Sequence, residues 1–91
     1  VMLAITDRNK GNKGISAFVV DKSMKGFYGS KKENKVGMRC SDTAGLIMDN
    51  VRVPGENLIG NEGEGFIQAL QILDGGRISI AALSLGLAEA A

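Results

Sequence analysis

The fold is decided at residues 54–73, PGENLIGNEGEGFIQALQIL, where the hydrophobic pattern changes its period. Pro54 ends the strand-like run before it, because proline cannot donate to a strand ladder. Asn61 and Glu64 have the spacing of a helix N-cap with a reciprocal acid three residues later. Apolar residues then recur at helical spacing, which predicts one apolar helical stripe: Phe66, Ala69, Leu70 and Leu73.

Downstream, the pair Gly75-Gly76 interrupts this stripe. Two glycines in a helix interior cost about 1 kcal/mol each, so the sequence predicts a kink or break there. A second helix is expected from about Arg77 to the end of the chain. It is apolar on nearly every side, which is typical of a helix inside a bundle. The chain has no other helices to supply that bundle, so we expect the sequence to be part of a longer one.

Upstream, four strands are expected at residues 1–6, 15–20, 27–33 and 43–53. Turns of polar and glycine-rich composition separate them at residues 7–14 and 21–26. The first strand opens the chain without a preceding segment, a second indication of a truncated sequence. All strands precede all helices, which favours an α+β protein over the alternating βαβ pattern.

The composition excludes several kinds of site. The chain has 91 residues, enough for one small domain at most. It contains no His and one Cys, Cys40, so a disulfide and the most common general base are both absent. No Ser/His/Asp set, metal-ligand cluster or Walker loop is present. The longest weakly polar run has 14 residues, which is shorter than the ~20 that span a bilayer, so no membrane span is expected.

Two groups of polar residues could bind a ligand. Residues 1–53 carry ten Lys or Arg against five acids, and their basic residues cluster at Lys31, Lys32, Lys35 and Arg39. A solvated edge strand explains this cluster better than nucleic-acid binding, because interleaved aromatic residues are lacking. Asp74 and Arg77 lie three residues apart beside the two glycines. They could form a helical ion pair, or Arg77 could bind an anion or polarised carbonyl in the space that the glycines leave. The spacing leaves both interpretations open.

Four segments in this order resemble the acyl-CoA dehydrogenase family. They are KGISAFVV at residues 13–20, GMRCSDT at residues 37–43, VRVP with NLIG at residues 51–60, and EGEGF with LDGGRI at residues 62–78. Each segment alone is a weak signal, and the four together cover nearly the whole chain.

The resemblance implies a fold and a reaction. Residues 1–54 would form part of the middle β-domain, residues 55–61 a linker, and residues 62–91 the first two consecutive α-helices of the C-terminal helical bundle. Members of the family are FAD-dependent enzymes that oxidise an acyl-CoA to the trans-2-enoyl-CoA, in fatty acid or branched-chain amino acid catabolism. A Glu removes the α-proton while the β-hydrogen leaves as hydride to the flavin. Electrons pass to an electron-transfer flavoprotein, and the enzyme is typically a homotetramer.

The resemblance also implies which residues contact the substrate. It implies that Asp74, Gly75, Gly76 and Arg77 line the acyl-CoA channel, and that Lys35 lies near the nucleotide end of CoA. In some subfamilies the base directly precedes the Arg of this helix. Here that position is Gly76, so the base is expected downstream of Ala91, as in the short-chain and medium-chain members. Most FAD contacts are also expected outside the chain.

Alternatives within the same fold are an acyl-CoA oxidase and a nitroalkane oxidase. A third alternative, of a different class, is a non-catalytic β-domain that serves as a binding module. The resemblance implies no nucleic-acid partner, and it implies a location in the bacterial cytoplasm or the mitochondrial matrix.

Overall fold

The computed structural model describes all 91 residues and places two antiparallel sheets ahead of one long α-helix. The expected α+β class, with strands followed by helical structure, is therefore confirmed. The elements are β1 (Met2–Ile5), β2 (Ile15–Phe18), β3 (Phe27–Lys32), β4 (Ala44–Met48), β5 (Leu58–Ile59) and α1 (Gly65–Ala90), with short 3-10 segments at Arg8–Gly14 and Gly55–Asn57.

The first sheet has the order β1-β2-β5, with β2 in the centre. Strands β1 and β2 pair in antiparallel register, so that Ala4 lies opposite Ser16 and Leu3 opposite Ala17. Strand β5 pairs with the other edge of β2 and places Ile59 opposite Ala17. Ala17 and Phe18 of β2 therefore have a strand on each side.

The second sheet is a two-stranded ribbon of β3 and β4. Its ladder is regular from Phe27, opposite Met48, to Gly29, opposite Leu46, and then shifts before Lys32 pairs with Ala44. Strand β4 is shorter than the expected residues 43–53, since its regular pairing ends at Met48. Asn50 follows in a left-handed conformation with φ of 51°, which turns the chain away from the ladder.

Strand β5 lies in a stretch where the sequence predicted only a linker. Its two residues, Leu58–Ile59, are too few to show an alternating pattern. They become a strand because β2 offers them an open edge, and the backbone N–H of Val19 donates to the carbonyl of Asn57 at 2.9 Å at the end of this pairing. Long-range pairing, and not local propensity, forms this strand.

The predicted break at Gly75-Gly76 is wrong, because α1 is one continuous helix of 26 residues. Neither glycine has a positive φ, so both keep a helical backbone. The helix has good helix formers on both sides of the pair. Breaking it would also forfeit several backbone hydrogen bonds, which outweighs a penalty of about 1 kcal/mol per glycine.

The predicted N-cap at Asn61 is displaced by three residues. The helix begins at Gly65, with Glu64 in the N-cap position and no side-chain cap. The expected partnership is nevertheless formed in the turn before the helix, where the Glu64 carboxylate accepts hydrogen bonds from the backbone N–H and the side-chain amide of Asn61, each at 3.2 Å. Gly63 has a φ of 86°, which makes this turn and delays the first helical turn.

Large apolar side chains along α1 remain exposed beyond its first turns, from Leu70 to Leu87. By length and composition α1 could also cross a membrane, a test that core helices of soluble proteins pass as well. The expected absence of a membrane span therefore stays a prediction. Exposure on all sides agrees with the sequence-based expectation that such a helix packs inside a bundle.

The buried centre of the chain consists of small residues and lies where β2 meets the start of α1. Its four members are Gly14, Ser16, Ala17 and Gly65. A Cβ at Gly65 would lie 2.7 Å from the carbonyl carbon of Ser16 and 2.9 Å from the nitrogen of Ala17. The helix can approach the strand this closely only because residue 65 has no side chain.

We predict that Gly65→Ala destabilises the protein by about 1–3 kcal/mol, because the added methyl group must push α1 away from backbone that cannot yield. Urea unfolding followed by circular dichroism measures the loss. Gly86→Ala is the matched control, since a Cβ at Gly86 meets nothing within 4 Å and alanine is the better helix former. Equal stability of Gly65→Ala and the wild type would contradict the close approach.

We also predict that acid weakens the connection between β1 and β2. The backbone N–H of Asn9, donating at 2.9 Å, and then Lys10 hold the pKa of the Asp7 carboxyl below its usual 3.8. The contribution of the ionised carboxylate to stability is therefore complete above pH 3.8 and is lost as the pH falls through the lower, folded-state pKa. Urea midpoints at about pH 6 and about pH 2.5 should differ less in Asp7→Asn than in the wild type. An identical difference in both proteins would refute this contribution.

Candidate functional site

The middle of α1 carries the first group of predicted site residues, Asp74, Gly75, Gly76 and Arg77. Both charged side chains are exposed, and Gly76 is half-buried. A Cβ added at either glycine would meet nothing within 4 Å. The two glycines therefore leave an open strip of helix backbone between the carboxylate and the guanidinium, into which another molecule or chain segment can approach closely.

Asp74 and Arg77 do not pair with each other. The structure forms two ion pairs, Lys10–Asp7 and Lys32–Asp42, and neither includes this helix. Of the two interpretations left open by the spacing, the internal ion pair is thus not formed. The guanidinium of Arg77 presents several N–H donors in a fixed fork, which suits a carboxylate, a phosphate or a carbonyl oxygen carrying partial negative charge.

Lys35, the remaining predicted site residue, lies in the loop between β3 and β4. Its ammonium group donates to the carbonyl of Ser41 at 2.6 Å, and the Arg39 guanidinium donates to the carbonyl of Lys35 at 3.2 Å. A backbone hydrogen bond of 2.8 Å from Glu33 to the carbonyl of Thr43 closes the base of this loop. Lys35 and Arg39 are therefore held by carbonyl groups of the loop's own backbone, which a solvated edge strand would not require.

This loop encloses a small polar pocket of about 90 Å³, lined by Lys32, Glu33, Lys35, Arg39, Ser41, Asp42 and Thr43. Such a volume accommodates a few water molecules or one small anionic group, and not a whole nucleotide. Lys32 is neutralised within it by Asp42, whose carboxylate lies 2.7 Å from the ammonium group. Lys35 and Arg39 are the lining cations without a carboxylate partner, so they are the ones available to an anion.

The structure does not bring the two groups together. Lys35 belongs to the two-stranded ribbon, whereas residues 74–77 belong to the helix that starts on the other sheet. No hydrogen bond or ion pair joins them. The two groups therefore lie on separate elements, and a ligand that contacts both must bridge those elements.

An apolar groove between the first sheet and α1 was not predicted from the sequence. It has a volume of about 790 Å³ and is lined mainly by apolar side chains and glycine backbone. The lining residues are Val1, Leu3, Ala17, Ile59, Gly60, Gly65, Gln68, Ala69, Gln71, Ile72 and Leu73. Leu73 directly precedes Asp74, so the groove ends beside the first group of site residues.

One polar side chain closes part of this groove. The Gln68 side-chain nitrogen donates to the carbonyl of Ile59 at 3.0 Å, while its oxygen Oε1 is buried without a hydrogen-bond partner. The amide ties the first turn of α1 to β5. The signal that the sequence offered for this groove was the spacing of Ala69 and Leu73 on one helical stripe. The strand residues opposite them could be found only from the sheet register.

The lining of this groove lacks the charges that the flavin cofactor needs. No Lys or Arg lies in its lining, so the diphosphate of an FAD molecule would have no cationic partner there. The basic residues of the chain are concentrated in the β3–β4 loop instead. The groove by itself therefore does not fit FAD, and the expectation that most flavin contacts come from outside the chain stays a prediction.

Comparison with known proteins finds close relatives along the whole chain, although no family model matches. A short-chain specific acyl-CoA dehydrogenase of Clostridium acetobutylicum is 55% identical over 91 residues, which is 100% of this chain and 24% of that protein. The mitochondrial short-chain specific acyl-CoA dehydrogenase of Rattus norvegicus is 52% identical over 90 residues, 99% of this chain and 22% of that protein.

A solved structure agrees with these relatives. Butyryl-CoA dehydrogenase from Megasphaera elsdenii superimposes with a TM-score of 0.89 at 49% identity, covering 96% of this chain and 23% of that one. Strands, ribbon and helix are therefore arranged as in a segment of a larger protein. This chain spans about a quarter of the length of the curated relatives that it matches.

Proposed function

The chain belongs to the acyl-CoA dehydrogenase family, and from this premise we infer that it forms the substrate-side wall of a short-chain type enzyme. The reaction is the oxidation of an acyl-CoA to the trans-2-enoyl-CoA, with FAD held mainly by residues outside these 91. Residues 1–54 would belong to the middle β-domain, residues 55–61 to a linker and residues 62–91 to the C-terminal helical domain.

One observation carries this proposal: the unpaired guanidinium of Arg77 beside the exposed backbone of Gly75 and Gly76. The family resemblance implies that this segment lines the acyl-CoA channel, and the open space around both glycines supports this proposal. A thioester carbonyl or a CoA phosphate can then lie against the helix while Arg77 donates to its oxygen. Asp74, also free of a partner within the chain, can accept from a donor on the substrate or hold Arg77 in position.

The residues of this chain bind and orient, and none of them removes the substrate proton. Gly76 occupies the position that carries a carboxylate base in some members of the family, and it has no side chain. The base is therefore proposed to follow Ala91 in the sequence. FAD, when bound, supplies the hydride acceptor, and the chain's contribution is to fix the acyl-CoA against it.

Lys35 is proposed to contact the nucleotide portion of CoA. The pocket beside it fits one small anionic group, and Lys35 and Arg39 are its cations without a carboxylate partner. A single CoA ester is proposed to contact the β3–β4 loop with its nucleotide and the helix with its thioester. The proposed electron acceptor is an electron-transfer flavoprotein, and the proposed assembly is a homotetramer. The proposed location is the bacterial cytoplasm or the mitochondrial matrix.

We predict that Arg77→Ala in the full-length enzyme lowers kcat/KM for a short acyl-CoA by about 10- to 100-fold, the loss of one charge-assisted hydrogen bond. Bound flavin, read from its visible absorbance, should stay stoichiometric. Arg52→Ala is the matched control, since Arg52 is also exposed and lies outside the candidate site. Normal turnover by Arg77→Ala would contradict the substrate-binding role proposed for Arg77.

A second prediction concerns Lys35. Lys35→Met should raise KM for the CoA ester several-fold and leave kcat nearly unchanged, because a contact remote from the reacting carbons acts on substrate and transition state alike. The effect should shrink for a truncated thioester that lacks the nucleotide. Equal loss with both substrates would show that Lys35 acts through folding of the loop instead.

The electron acceptor separates this function from its alternatives. Reduction of an electron-transfer flavoprotein without oxygen consumption is the expected result for the full-length enzyme. Stoichiometric hydrogen peroxide formation would favour an oxidase of the same fold. A full-length protein without bound flavin would favour a non-catalytic binding module.

A further inference from the structure

Ser16 is the most completely buried polar residue of the chain, with 0% of its surface exposed. It lies in β2, opposite Ala4 of β1, at the place where α1 begins. A serine hydroxyl removed from water needs hydrogen-bond partners, since leaving it unpaired costs free energy. The partners of Ser16 connect three separate parts of the chain.

These partners form a directed chain of hydrogen bonds. The Thr6 hydroxyl donates to the carbonyl of Gly14 at 3.2 Å, so its single hydrogen is used there. The Ser16 hydroxyl, 2.8 Å from Thr6 Oγ1, must then be the donor to Thr6. Ser16 Oγ in turn accepts from the backbone N–H of Gly63 at 2.8 Å. We call these groups, Gly63, Ser16, Thr6 and Gly14, the hydroxyl relay.

The hydroxyl relay holds the turn from which α1 starts. Gly63 lies two residues before the helix and has a φ of 86°, and its Cα lies so close to the carbonyl of Lys13 that a side chain would collide with it. Gly65 presses against the backbone of Ser16 and Ala17. The relay also fixes the orientation of the helix start at this close contact, because a hydrogen bond weakens steeply when its angle changes.

The direction of the helix start matters because α1 is a single continuous helix that runs far beyond its anchor. Arg77 lies twelve residues after Gly65, which corresponds to roughly 18 Å along the helix axis. A tilt of about 5° at the start would therefore move Arg77 by roughly 1.5 Å. Misplacement of about 1 Å in a binding group can reduce catalysis by about two orders of magnitude.

We propose that Ser16 is a positioning residue for Arg77: its hydroxyl fixes the angle at which α1 leaves the sheet, and so places the guanidinium at the acyl-CoA site. This inference rests on the proposed function, since it gives Arg77 a substrate to bind. Ser16 itself touches no substrate. Its effect on turnover passes through the helix and depends on the presence of the Arg77 side chain.

A double-mutant cycle in the full-length enzyme tests the proposal, with rates expressed per bound flavin. Ser16→Ala should lower kcat/KM for a short acyl-CoA by about 5- to 10-fold while flavin content is retained. In an Arg77→Ala background the same substitution should change kcat/KM by less than about 2-fold. A merely structural role would reduce activity by the same factor in both backgrounds, and that result would overturn the proposal.

Thr6 provides a second test that does not require a change in the buried centre. Thr6→Val keeps the shape and removes the hydroxyl that accepts from Ser16, so it should reduce kcat/KM in the same direction by a smaller factor. Thr6→Ser retains the relay and should restore wild-type kinetics. If Thr6→Val and Ser16→Ala both leave kcat/KM unchanged, the relay does not position Arg77.

The role of Arg77 and the positioning role of Ser16 are separated by these variants. If Arg77→Ala alone leaves kcat/KM unchanged, the proposed function of Arg77 fails and the positioning role fails with it. If Arg77→Ala impairs the enzyme but Ser16→Ala reduces kcat/KM equally in both backgrounds, the proposed function stands and only the positioning role of Ser16 is lost.

Discussion

The close contact between Gly65 and the backbone of β2 is the constraint on which the rest of the structure depends. There the helix lies against the central strand with no side chain between them. A Cβ at residue 65 would lie only 2.7 Å from the carbonyl carbon of Ser16. The contact sets where α1 starts, and the sheet on which it rests is completed on both sides by β1 and β5. Apolar side chains could not substitute for it, because they would widen the gap.

From this contact the rest of the site follows by helix geometry. A continuous α1 carries Asp74 and Arg77 away from the sheet and leaves the backbone of the two intervening glycines open. The apolar groove alongside the first turns leads to Leu73, and so to the same segment. Lys35 lies on a different element, the loop of the β3–β4 sheet.

Much of this fold could be predicted from the sequence, for definite physical reasons. Continuous apolar and β-branched runs between turns predicted the strands, and the stripe through Phe66 and Leu73 predicted the helix, because both patterns are local. The break at Gly75-Gly76 was predicted wrongly, since a per-residue penalty of about 1 kcal/mol is smaller than the cooperative gain of continuing the helix. Strand β5 was missed because the partner that makes it a strand is about forty residues away in sequence.

Part of the candidate site could likewise be predicted from the sequence, and part of it could not. Composition and spacing singled out Arg77 and the basic loop, but could not decide between an ion pair with Asp74 and a free guanidinium. The three-dimensional arrangement removed the ion pair. The groove and the hydroxyl relay depend on contacts between residues as distant as Ser16 and Gly63, so no local pattern could reveal them.

The measurement that tests the central claim most directly is a crystal structure of the full-length enzyme with a bound enoyl-CoA. We expect α1 to be continuous through Gly76, with the Arg77 guanidinium within about 3.2 Å of an oxygen of the ligand. A ligand bound elsewhere, with Arg77 paired to another part of the protein, would contradict it.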